Sequence, residues 1–150
     1  MNTTPELTTV TGGPAIAIRA QLSLPELPSF FGAAFGELAT CAAEQADGMP
    51  FARYHAVGPG TIDVEAVMPV RVPVTARGRI YPIEIATGPA IQVVHRGPYE
   101  ELGPVYSAIE HWISEHHRVR NGPMQEVYLS SPTVPPADLV TVVIQPLAAA

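Results

Sequence analysis

Gly13-Pro14-Ala15-Ile16 is followed 75 residues later by Gly88-Pro89-Ala90-Ile91, and the two stretches continue in step. At that offset Glu26-Leu27 falls on Glu101-Leu102, Phe31 on Tyr106, Ala33 on Ala108 and Leu38 on Ile113. Gly48 and Tyr54 fall on Gly122 and Tyr128 at an offset of 74, and Met68-Pro69-Val70 ends the first stretch as Gln145-Pro146-Leu147 ends the second. Each identity is weak alone, but their common order argues for an internal repeat, roughly 1–74 and 75–150, within a single domain spanning 1–150.

Each half has the same grammar. Leu7 to Val10 and Ala15 to Leu22, broken by Thr11-Gly12-Gly13-Pro14, read as a hairpin; Ile80 to Ala86 and Ile91 to His95, around Thr87-Gly88-Pro89, repeat it. A helix follows, with Leu27, Phe30, Phe31, Ala34, Leu38 and Ala42 at helical spacing in the first half and Leu102, Val105, Tyr106, Ile109 and Ile113 in the second. Pro25, Pro28, Pro98 and Pro104 fall in opening turns, where a missing amide costs nothing, and Gly48 and Asn121-Gly122 are expected to stop the helices. Two strands close each half: Phe51 to Val57 and Thr61 to Val70, then Gln125 to Ser130 and Leu139 to Ile144. The expected class is α+β: duplicated ββαββ halves with pseudo-two-fold symmetry, an antiparallel eight-stranded sheet with two helices on one face and a ligand groove between them.

Composition limits the function. At 150 residues and 47% hydrophobic content the chain is long enough for one substantial core. Its eight basic residues, all arginine, face 14 acidic ones for a net charge of −6, a balance that repels a phosphate backbone, so no nucleic-acid partner is expected. Cys41 is the only cysteine, so no internal disulfide forms and a reducing, cytoplasmic setting is the simplest. MNTTPELTT at residues 1–9 lacks the basic and apolar segments of a signal peptide, and no apolar run approaches the roughly 20 residues of a membrane span, so no membrane partner is expected.

The second half carries His95-Arg96-Gly97-Pro98-Tyr99-Glu100-Glu101-Leu102, then Trp112-Ile113, Gln125-Glu126-Val127-Tyr128-Leu129, and Thr141 ahead of Pro146. The first half carries Pro50-Phe51-Ala52-Arg53-Tyr54-His55 and Asp63-Val64-Glu65 before Pro69. In order and spacing this resembles the GyrI-like family of small-molecule-binding domains, also found as effector-binding modules of bacterial transcription activators. The resemblance covers nearly the whole chain. It implies a cleft between the two helices in which aromatic walls and one inward carboxylate, matched here by Glu126, take up lipophilic, often cationic, compounds. One departure is Val142, where the family often has an acid directly after the threonine of its last strand. Without a helix-turn-helix segment, the stand-alone form is expected.

Read without the family, Glu126 and Tyr128 lie two apart on a strand and share a face, while Val127 and Leu129 share the other. Glu126 either sits at the base of a groove, where a cationic ligand supplies counter-charge, or is simply solvated on the open face. Tyr54, the repeat partner of Tyr128, is a ligand wall or a packed tyrosine. Trp112, at the border of its helical stripe, is a core lid or a ligand platform, and Tyr99 caps the groove or packs its turn. Gly32 and Gly36 on one helix each cost about 1 kcal/mol against alanine, so either close backbone approach or room for a ligand is needed to explain them. His95, His111, His116 and His117 lack the i, i+4 pairing of a metal site, and a solvated helix end explains them better. No phosphate loop or nucleophile motif is present, and neither metal nor cofactor is expected.

Two functional readings follow. The first is a binder of bulky aromatic, cationic or amphiphilic small molecules, acting as a multidrug-type sensor or sequestering protein, with Glu126, Tyr128, Tyr54, Trp112 and Tyr99 as its site. The alternative is a hydrolase of reactive strained-ring natural products, with Glu126 as general acid or base and Tyr128 or Tyr54 assisting.

Overall fold

A computed structural model describes residues 4–130 and 133–150. Eight strands and two helices follow one another as β1 (Glu6–Val10), β2 (Gly13–Leu22), α1 (Leu27–Ala42), β3 (Phe51–Val57), β4 (Ile62–Pro69), β5 (Tyr81–Ile85), β6 (Gly88–Arg96), α2 (Gly103–Glu115), β7 (Met124–Tyr128) and β8 (Val140–Pro146). All described pairings are antiparallel, and the class is α+β.

The chain divides into two compact units, one made of the chain up to Val10 together with Gly88–Ala150, the other of Thr11–Thr87. The first has the strand order β1-β6-β8-β7, and the second β5-β2-β4-β3. These orders are equivalent element for element, and so are the registers. Glu126 faces Val143 and Tyr128 faces Thr141 in one unit, as Ala52 faces Ala66 and Tyr54 faces Val64 in the other.

The expected hairpins are corrected. β1 does not pair with β2 but with β6, Leu7 lying opposite Ile91, and β5 pairs with β2, Ala15 lying opposite Ile83. Each half of the sequence thus gives its outer strand to the other half's sheet. The cause is local: the backbone at Gly12 passes so close to Ile85 that a Cβ there would sit 2.0 Å from the Ile85 carbonyl oxygen. Its amide donates to Thr87 Oγ1 at 2.8 Å, so Thr11-Gly12 and Ala86-Thr87 cross rather than turn back.

In the first unit α2 lays Val105, Ile109 and Ile113 on Ile91, Val93, Val143 and Leu147, with Leu102 completing the cluster. Each such fully buried side chain contributes about 1.5–3 kcal/mol of gross burial. In the second, α1 packs Phe30, Ala34, Leu38 and Ala42 over β2 and β4. The helix stops also differ from expectation. α1 ends at Ala42 and α2 at Glu115, and the left-handed turns fall on Ala43 (φ 49°) and His117 (φ 52°), short of Gly48 and Gly122. Among the described residues no helix is long and apolar enough to cross a membrane.

Candidate functional site

Because Val143 packs under α2, the alternation of β7 puts Glu126 and Tyr128 on the helix-covered face and Val127 on the other. Glu126 is therefore not solvated: it is 4% exposed. Tyr106, from α2, donates its hydroxyl to one carboxylate oxygen, and Tyr128 donates to the other at 2.8 Å. Tyr99 opens a single 3-10 turn (Tyr99–Glu101) before α2 and meets the Tyr128 ring edge-on, with centroids 5.7 Å apart. Tyr99 itself remains 44% exposed. Burial pushes the Tyr99 phenol above its ordinary pKa, and the negative charge of Glu126 adds to the shift.

The equivalent positions of the other unit show what the fold alone requires. Where one unit has Glu126, Thr141 and His95, the other has Ala52, Val64 and Ala20 at the same register, and Phe31 follows Phe30 on α1 as Tyr106 follows Val105 on α2. Only the tyrosine pair Tyr54 and Tyr128 is shared. The polar set is thus an addition to the α+β frame and not a condition of it.

The remaining expected residues are distributed as follows. Trp112 is partly buried against the α2 core and stacks on His116, with ring centroids 4.1 Å apart. Tyr54 lies on β3 in the other unit, half-buried opposite Val64. Gly32 and Gly36 do not mark close backbone approach, since a Cβ at either would meet nothing within 4 Å. Gly36 borders a cleft of about 560 Å³ whose lining includes Thr40, Cys41, Arg77 and Arg79, apart from every residue expected in the site. His111, His116 and His117 are at a solvated helix end, but His95 is wholly buried on β6, which corrects its assignment to that group. Among the described residues no cluster fit for a metal is present. Tyr106 and Thr141 fall outside the residues expected in the site. The sequence does carry a signal for Tyr106, the hydroxylated member of an otherwise apolar repeat pair with Phe31.

A second buried carboxylate is of a different kind. Glu65, 1% exposed on β4, accepts from Arg53 at 2.6 Å, lies 2.9 Å from His55 Nε2 and accepts the Tyr81 hydroxyl. Burial pushes its carboxyl up, but the bonds from Tyr81 and His55 and the Arg53 charge outweigh that and hold it below the ordinary range. This cluster is closed by the Arg53 guanidinium and by hydrogen-bond partners of its own, on the face of β4 opposite Val64 and Ala66, and it reads as structural.

Two units of equivalent strand order, with Glu126 buried among tyrosines beneath a helix in one of them, form the frame to which known proteins can be compared. The GyrI-like small molecule binding domain model matches residues 3–148, and the chain belongs to that family. No curated protein matches it in sequence. Among solved structures it is similar to the EcmrR C-terminal domain, with a TM-score of 0.86 at 18% identity over 97% of this chain and 98% of that one. It is also similar to a protein described as a hydrolase from Listeria innocua, with a TM-score of 0.73 at 13% identity over 97% and 92%. A third is SAV2435 bound to tetraphenylphosphonium, with a TM-score of 0.65 at 11% identity over 96% and 93%. At these identities the likeness is one of fold.

Proposed function

We propose that this domain binds bulky, lipophilic aromatic cations at Glu126, with Tyr128, Tyr106 and Tyr99 as neighbouring walls, and acts as a sensor or sequestering protein for such compounds. The observation that carries the reading is the buried carboxylate held by two phenolic hydroxyls, where the carboxylate and the Tyr106 phenol stand in place of Ala52 and Phe31 of the other unit. Phenols return hydrogen bonds to a desolvated carboxylate while leaving its negative charge in place, so a cation brought beside it gains more than a neutral molecule of the same shape. Aromatic faces give area without strict direction, which favours breadth over fine selectivity. The ligand bound to SAV2435 is a cation of this class, and tetraphenylphosphonium is the natural first probe. Tyr54 and Trp112 remain candidate walls, and alanine replacement of each tests them in the same titration. The direct test is Glu126→Gln, which keeps shape and removes charge: affinity for tetraphenylphosphonium falls by about 1–3 kcal/mol.

A second reading rests on the same pair of groups. A buried carboxylate 2.8 Å from a phenol is a competent proton relay, so Glu126 as general acid or base with Tyr128 assisting would support hydrolysis of a strained-ring electrophile. Turnover of such a substrate by the wild type, abolished in Glu126→Gln, separates this enzyme from a binder.

A further inference from the structure

We infer that His95, backed by Thr141, is a positioning residue that fixes Tyr99 beside Glu126 and thereby tunes ligand affinity; this rests on the ligand-binding reading above. His95 and Thr141 are both 0% exposed, and in register Thr141 lies between His95 on β6 and Tyr128 on β7. The three form one row on the face beneath α2. Pro98 can only accept through its carbonyl, so His95 Nε2, 3.1 Å away, must carry the proton of that bond. In the neutral ring this leaves Nδ1 as an acceptor. Nδ1 and Thr141 Oγ1 are the two buried side-chain atoms that lack a hydrogen-bond partner among the described residues. One is an acceptor and the other carries a donor, on adjacent strands, so one internal water between them would satisfy both and hold the ring's tautomer.

The bond to Pro98 governs a turn with little other freedom. Gly97 sits at φ +135°, where a Cβ would come within 3.2 Å of Glu101 Oε2 and 3.5 Å of His95 Nε2. Its amide donates to the Leu139 carbonyl at 2.8 Å, and the Pro98 carbonyl also accepts from the Glu101 amide at 3.1 Å. Tyr99 is the next residue. The other unit closes its equivalent turn differently: Glu26 accepts from the Ser23 amide and hydroxyl at the surface, with Ala20 and Val64 where His95 and Thr141 stand. The frame does not need an internal histidine to make this turn. The unit that carries Glu126 and Tyr99 has one.

The test is a double-mutant cycle read by calorimetric titration with tetraphenylphosphonium, together with nitrogen-15 NMR of the ligand-free protein. His95→Leu removes the donor and is expected to weaken binding about fivefold, the scale of one lost hydrogen bond. His95→Gln, which presents an N–H at the Nε2 position, restores most of that affinity. In a Tyr99→Ala background His95→Leu has no further effect, because there is no ring left to position. The wild-type ring shows the Nε2–H tautomer, and the Tyr99 ring resonances move in His95→Leu but not in His95→Gln. An Nδ1–H tautomer, unmoved Tyr99 resonances, or the same loss with and without Tyr99 overturns the inference. The NMR readouts need no ligand. If wild type fails to bind tetraphenylphosphonium, the site reading fails while the positioning of Tyr99 is still decided.

Discussion

Glu126 and Glu65 are both buried carboxylates on strands, yet their surroundings differ. Glu65 is closed by Arg53, His55 and Tyr81. Removing its charge in Glu65→Gln leaves Arg53 facing a neutral amide, and the protein loses about 2–3 kcal/mol of stability at neutral pH. The folded pKa of Glu65 lies below its ordinary value of 4.5, so its contribution is complete above that pH and disappears as pH falls through the depressed value. Urea unfolding of wild type and variant at pH 7 and near pH 3 checks this: the gap narrows in acid, and a pH-independent gap contradicts the assignment. At this scale the sequence was partly legible. Alternation placed Glu126 and Tyr128 on one face, but which face lies beneath α2 depends on the pairing of β7 with β8, which no residue in β7 encodes. His95 was unreadable for a related reason, since the strand that lies against it brings Thr141 from far away in sequence.

Among elements, the helices and strands were legible from periodicity, while their partners were not. Phe51–Val57 is a strand with the expected bounds, and the helical stripes bury Phe30, Ala34, Leu38 and Ala42 and Val105, Ile109 and Ile113, while Leu27, Phe31 and Tyr106 are only partly buried. The exchange of β1 and β5 escaped because Thr11-Gly12-Gly13-Pro14 has the composition of a tight turn, whereas Gly12 is there to let two chain segments pass. Two glycine variants separate these uses. Gly12→Ala forces a side chain onto the Ile85 carbonyl and is expected to cost about 3 kcal/mol. Gly36→Ala, on an exposed helical face with nothing within 4 Å, is expected to gain about 0.5–1 kcal/mol from helix propensity. Chemical denaturation of both variants measures this, and a neutral Gly12→Ala would show that the crossing is not tightly packed.

For the whole molecule, two units with equivalent strand order and register differ chiefly in what they place beneath the helix. One is apolar there, with Ala20, Phe31, Ala52 and Val64; the other carries His95, Tyr106, Glu126 and Thr141. The chain belongs to the GyrI-like family, and in the proposed reading this asymmetry makes the unit that carries Glu126 the seat of ligand recognition. Calorimetric titration of wild type and Glu126→Gln with tetraphenylphosphonium, and with triphenylphosphine oxide as a neutral counterpart, tests that claim most directly. The account predicts that the variant loses about 1–3 kcal/mol of affinity for the cation and far less for the neutral compound; equal affinity of both proteins for the cation would contradict it.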